Sequence, residues 1–220
     1  MHIAIILLSV FIGVVASAQG PIAPGTDLIS AAKRAFQSGN VEQALRLVEQ
    51  GDTGRQPSSE SLDLRGSIYL EQGKFDEAAK TFKAAHEADP ALFLPRLHQG
   101  DVLFLQKKYG EAREVYEQLS RETNILMSNE RLRFGILLTY LAEGDKGRAE
   151  SALARIKFPT ETPAYYFSQA AWAFAKGEER AAKKWMETSH RITGPTSTAW
   201  FMQKLHHLGW LKDKPPPGET

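Results

Sequence analysis

The feature that most restricts how this chain can fold is a repeat. Gly66, Phe75, Ala78 and Phe82 recur as Gly100, Tyr109, Ala112 and Tyr116, each 34 residues further on. A fixed period of that length means that one supersecondary unit is stacked on copies of itself. Such a unit buries its apolar face only against its neighbours. Three weaker copies align on a turn. Gly39 precedes Ala44, Gly144 precedes Ala149 and Gly177 precedes Ala182, the interval that also separates Gly73 from Ala78. Five copies of the unit are expected, over about 27–51, 59–90, 93–123, 130–157 and 163–193.

The residue choices have physical reasons. Gly73 takes the left-handed conformation that ends a helix and reverses the chain. Asp76, Glu77, Glu111, Glu150 and Glu179 fall near the start of second helices, where negative charge suits the dipole. Gly66, Ala78 and Ala85 allow helix backbones to approach, and Phe75 and Phe82 fill the volume between them. These positions specify a stack rather than a site. The second copy departs from the first: Lys107 stands at the turn glycine, Leu103 at the aromatic and Asn124 at the closing proline.

The first copy reads Leu62, Gly66, Tyr69, Gly73, Phe75, Ala78, Phe82, Ala85, Pro90, and it resembles the tetratricopeptide repeat. That resemblance implies an all-α fold, a right-handed superhelical α-solenoid of about five antiparallel helix pairs. It also implies a concave groove, lined by the first helix of each pair, that binds a segment of another protein. Groove-facing positions transferred residue by residue are Ile29, Lys33 and Phe36, then Glu60, Asp63, Ser67, Leu70 and Glu71. The third copy adds Leu94, Leu97, Asp101, Phe104 and Leu105. The last two add Phe134, Leu138, Leu141, Phe167, Ala171 and Phe174. The candidate partner-binding residues are Leu70, Leu94, Leu97, Asp101, Phe104, Phe134, Leu138, Leu141, Phe167 and Phe174. The Lys/Arg/Asn clamp that the family uses on a C-terminal carboxylate is missing, so that specificity does not transfer. From the third copy on, the groove is mostly apolar. It receives an apolar or amphipathic partner, or it is covered by another copy of the chain, or these residues are core.

The ends are separate objects. Residues 1–18 hold no Asp, Glu, Lys or Arg, and an apolar run leads to Ala16-Ser17-Ala18. This is the pattern of a secretory signal peptide cut before Gln19, and an uncleaved anchor is the alternative. Residues 19–26 read as a linker, and the repeats span 27–194. Residues 195–211 read as a C-terminal capping helix with Phe201, Leu205 and Leu208 on one face. The segment 212–220, with Pro215-Pro216-Pro217, reads as an extended, disordered tail. Export implies a periplasmic or secreted protein with no membrane insertion after cleavage. With Cys 0, stability must come from the core alone.

A net charge of +1 argues against nucleic acid as a partner. Catalytic chemistry is hard to place. His86-Glu87 begins like a zinc-protease motif, but Pro90 stands where the second histidine belongs. His206 and His207 are adjacent, so they point about 100° apart on a helix; His190 could meet them across the last helix pair, but no spacing demands it. No nucleophile elbow, phosphate loop or dinucleotide glycine pattern occurs. The leading expectation is an exported, non-enzymatic interaction scaffold without cofactor or metal. An accessory domain or enzyme acting on cell-envelope material, and a structural homo-oligomer, are the alternatives.

Overall fold

A computed structural model of the chain describes residues 26–158 and 162–213. The expected signal peptide, most of the linker and the tail from 214 lie outside them. The described residues form eleven helices and no strand: α1 (Thr26–Gln37), α2 (Val41–Asp52), α3 (Ser59–Glu71), α4 (Phe75–Ala88), α5 (Phe93–Leu105), α6 (Tyr109–Glu122), α7 (Leu126–Ala142), α8 (Lys146–Leu153), α9 (Ala164–Ala175), α10 (Glu179–Thr193) and α11 (Pro195–His207). They make the expected five pairs and one final helix. Each first helix packs on its second, and α3 touches both α1 and α5, as α9 touches α7.

All five pairs turn in one way. The backbone N–H groups of Asn40, Lys74, Lys108, Asp145 and Glu178 reach back to the carbonyls of Ala35, Tyr69, Leu103, Tyr140 and Ala173, at 2.8, 2.9, 2.9, 3.0 and 2.9 Å. Those are the six-to-one bonds that close a helix over a left-handed residue. The left-handed residues are Gly39, Gly73, Gly144 and Gly177, with φ between 73° and 81°. In the third pair Lys107 takes the role at φ 61° and is the one non-glycine with positive φ among the described residues.

The repeat glycines mark close approaches. A Cβ on Gly66 would lie 2.6 Å from Phe82 Cε1, and a Cβ on Gly100 would lie 2.6 Å from Tyr116 Cε1. Gly135 on α7 closes on the other side of the same tyrosine, where a Cβ would meet Cε2 at 2.9 Å. Tyr116 is thus wedged between α5 and α7. Gly135 belongs to the glycine series, one residue beyond the 34-residue spacing from Gly100, and sequence comparison passed it over.

Two boundaries differ from expectation. The first helix of the fourth pair begins at Leu126 rather than near 130. Asn129 explains this: its amide donates to the Thr123 carbonyl at 2.8 Å and its oxygen accepts from Ser120 Oγ at 3.0 Å, anchoring the new helix to the end of α6. The second helix of that pair stops at Leu153, where three-residue bonds from Arg155 to Ala152 and from Ile156 to Leu153 tighten the end.

Candidate partner-binding groove

The groove-facing side chains of α5, α7 and α9 do converge on one concavity, and the chain's own last helix occupies it. Phe201 of α11 sits 5.0 Å from Phe134 and 5.3 Å from Phe167, ring centre to ring centre. Trp200 lies 6.0 Å from Phe134. Just past α11, Trp210 stacks on Phe174 at 5.7 Å. Leu97, Phe104, Phe134, Leu138 and Leu205 are wholly buried in this cluster, and Phe167 and Phe174 nearly so. The final helix therefore does more than shield the end of the last pair.

A buried polar knot fastens α11 in place. Asp101 on α5 accepts from Tyr116 Oη at 2.7 Å and from Trp200 Nε1 at 3.0 Å, and it pairs with Lys204 Nζ at 2.5 Å. Neither Asp101 nor Lys204 is more than 5% exposed. Burial lowers the Lys204 pKa and the Asp101 charge opposes that shift. Burial also pushes the Tyr116 hydroxyl well up, and the Asp101 charge adds to it. The lysine ammonium further lies 5.2 Å from the centre of the Phe104 ring and 5.1 Å from that of Trp200. A lone buried carboxylate would be costly, and here each of its oxygens is bonded.

Leu97, Asp101, Phe104, Phe134, Leu138, Phe167 and Phe174 are buried against α11 and one another, so they do not face an outside partner in this structure. Leu70 packs beside the Ala78, Phe82 and Val102 cluster, and Leu141 bridges two clusters around α7. Leu94 lines an open cavity. The apolar face from the third repeat on is thus core, but because another helix fills the groove rather than because the repeats are out of register.

That cavity lies in the N-terminal half of the concave side and has a volume of about 440 Å³. Ile29 and Lys33 come from α1, and Glu60, Asp63 and Leu64 from α3. Leu92, Phe93, Leu94 and Pro95 come from the start of α5. Ile29, Lys33, Glu60, Asp63 and Leu94 are groove positions legible from the repeat, whereas Leu64, Leu92, Phe93 and Pro95 were missed. For the last three the signal is the apolar run Leu92-Phe93-Leu94-Pro95 at the start of α5.

Asp63 links the two halves. Its carboxylate lies 2.9 Å from His98 Nδ1, and both side chains are buried. Burial alone would pull the His98 pKa down. The charge and hydrogen bond of Asp63, with a further contribution from Asp101, more than offset it, and the net shift is upward. Among the described residues no group of three or more His, Asp or Glu is placed to hold a metal ion.

Residues 29–91 and 64–124 match the family model of the tetratricopeptide repeat, so the match runs over the first three helix pairs. No curated protein sequence matches the chain. Solved structures share the fold. The chain is similar to TTC0263, a thermophilic TPR protein of Thermus thermophilus, with 15% identity, TM-score 0.64, and coverage of 84% of this chain and 98% of that one. It is also similar to a MamA RS-1 double mutant, with 17% identity, TM-score 0.54 and coverage of 78% and 95%. The nearly identical TPR-like repeats of a Podosopora anserina protein align with 20% identity, TM-score 0.56 and coverage of 77% and 94%. These observations define an all-α solenoid of paired helices, the fold it shares with solved tetratricopeptide-repeat proteins, and its first three pairs match the model of that family.

Proposed function

We propose that the protein is an exported, non-enzymatic scaffold that receives a short apolar segment of another protein in the open half of its groove. The carrying observation is the cavity of about 440 Å³ between α1, α3 and the start of α5. Its size suits a few large side chains, and its walls combine apolar surface with a few polar groups, as binding sites do. Ile29, Leu64, Leu92, Phe93 and Leu94 supply the apolar surface. Lys33 and Glu60 offer one cation and one anion at the wall, while Asp63 is engaged by His98. The other half of the groove is filled by α11, so a partner segment meets a built-in stop. Export rests on the apolar run and the triplet Ala16-Ser17-Ala18.

One experiment in the native host tests both parts. A photoreactive phenylalanine analogue replaces Phe93, and another replaces Glu114 on the exposed face of α6 as control. Mass spectrometry should find a protein adduct at position 93 and none at 114, on a chain that begins at Gln19. Adducts at 114 alone would move the partner off the groove. A chain that retains its first eighteen residues would overturn export.

A further inference from the structure

The large apolar side chains that stand exposed among the described residues are Leu92, Ile125, Phe158 and Ile192, at 40%, 63%, 62% and 54% exposure. Their positions follow a rule. In an up-and-down stack, the second helix of one pair ends on the edge where the first helix of the next pair begins. Leu92 immediately precedes α5 and Ile125 immediately precedes α7. Phe158 lies between α8 and α9, and Ile192 is in the last turn of α10. All four thus fall on one edge of the solenoid. The opposite edge, which carries the turns at Gly39, Gly73, Lys107, Gly144 and Gly177, has none among the described residues.

Leu92 belongs to the cavity wall, which leaves Ile125, Phe158 and Ile192. Around them stand exposed cations. Arg121 is in the last turn of α6, Arg155 and Lys157 follow α8, and Arg191 neighbours Ile192. Arg133 reaches the same edge, because its Nη1 donates to the Arg155 carbonyl at 3.2 Å. None of the five forms an ion pair among the described residues. Of the nearby acids, Glu122 pairs with Arg96, Glu130 is buried against Thr162, and Glu117 and Glu187 lie one turn before Arg121 and Arg191. Glu161 is in the loop between α8 and α9, outside the described residues. Among the described residues, the five cations at these three junctions outnumber the acids there that are neither paired nor buried.

We propose that this edge docks peripherally on an anionic lipid bilayer, with the tips of Ile125, Phe158 and Ile192 in the headgroup boundary and the cations on the lipid phosphates. Apolar tips flanked by Arg and Lys are the chemistry of interfacial anchoring. The three tips stand at separate junctions instead of lining one concavity. A fluid surface accommodates separated tips, whereas a folded partner would have to match each one. The open cavity plays no part in this docking, so the two readings stand or fall separately. Such binding differs from spanning, and no helix among the described residues is long and apolar enough to cross a membrane.

The test is vesicle co-sedimentation of the chain from Gln19 onward, which keeps every described helix and removes the apolar leader. Phosphatidylcholine vesicles are compared with vesicles containing about one-third phosphatidylglycerol. Binding should require the anionic lipid and weaken with added salt. Each cation near such a surface contributes about fivefold. The R121E/R155E/K157E/R191E variant should therefore bind about a hundredfold or more weakly. I125S/F158S/I192S should lose on the order of tenfold or more. K74E/K107E/K108E, on the opposite edge, should bind as the parent does. Thermal melts verify folding; the Phe158 ring lies 5.5 Å from that of Tyr165, and I125S/I192S replaces the triple variant if loss of that contact lowers its melting point. No binding, equal binding to both vesicles, or variants that bind like the parent would overturn the proposal. So would a protein partner that is lost with the apolar triple variant while vesicles are ignored.

Discussion

Ile29 and Leu94 in one half of the molecule, and Phe134 and Phe167 in the other, occupy groove-facing positions on first helices of the same kind of repeat. The first two line an open cavity and the second two are buried. Backbone geometry does not explain the difference, since all five turns close with the same hydrogen bond. Composition does. The groove face of α1 and α3 carries Lys33 and Glu60, which tolerate water, and the Asp63 carboxylate bound to His98. The helix α9, Ala164–Ala175, has no charged residue, and eight of its twelve residues are buried. A helix that is apolar all round needs cover on every side, and α11 supplies it. The open half is left as a surface for something outside the chain.

The largest expected effect lies in the filled half, at the knot that closes it. Asp101→Ala leaves Lys204 buried and unpaired, together with Tyr116 Oη and Trp200 Nε1, and should cost about 3–5 kcal/mol in chemical denaturation. An Asp101→Leu/Lys204→Met double variant should recover much of that loss, because the uncompensated charge is gone. A double variant no more stable than Asp101→Ala would mean that the ion pair is not what holds α11.

Truncations on the two sides sharpen the contrast. Leu205→Ala, on the buried face of α11, should cost about 2–5 kcal/mol. Leu94→Ala, on the cavity wall and only partly buried, should cost roughly 1 kcal/mol. Equal losses would mean that the cavity wall is as tightly packed as the filled half, and that the comparison fails.

The smallest effect sits at the junction. The folded chain binds the His98 proton more tightly than the unfolded chain, whose value is near 6.5. The stabilisation is therefore full below that value and is lost as pH rises through the raised folded pKa. The melting temperature should fall modestly across that window, and His98→Asn should flatten the fall. A parent protein whose melting temperature rises through the same window would contradict the Asp63–His98 pairing.

Much of the fold was legible in the amino-acid sequence because the repeat is a local pattern. Gly66 and Gly100 face Phe82 and Tyr116 within one helix pair, so a spacing of 34 residues encodes a contact that short-range geometry then enforces. The glycine-to-alanine interval placed even the weak turns, since the left-handed closure needs only a residue that accepts positive φ. Groove-facing positions could be listed for the same reason. The sequence could not say which of them stay open. That depended on Trp200, Phe201 and Lys204, which lie about a hundred residues beyond Asp101 and share no period with it. The pairing of one buried carboxylate with a tryptophan N–H and a lysine is a long-range contact, chosen by the cost of burying an unpaired charge and by the apolar area that α11 removes from water. The sequence by itself thus determined the helix pairs, their turns and the face each first helix presents. Only the tertiary structure decided that one half of that face is core and the other a cavity, because which surface the last helix covers is settled by packing across the whole stack.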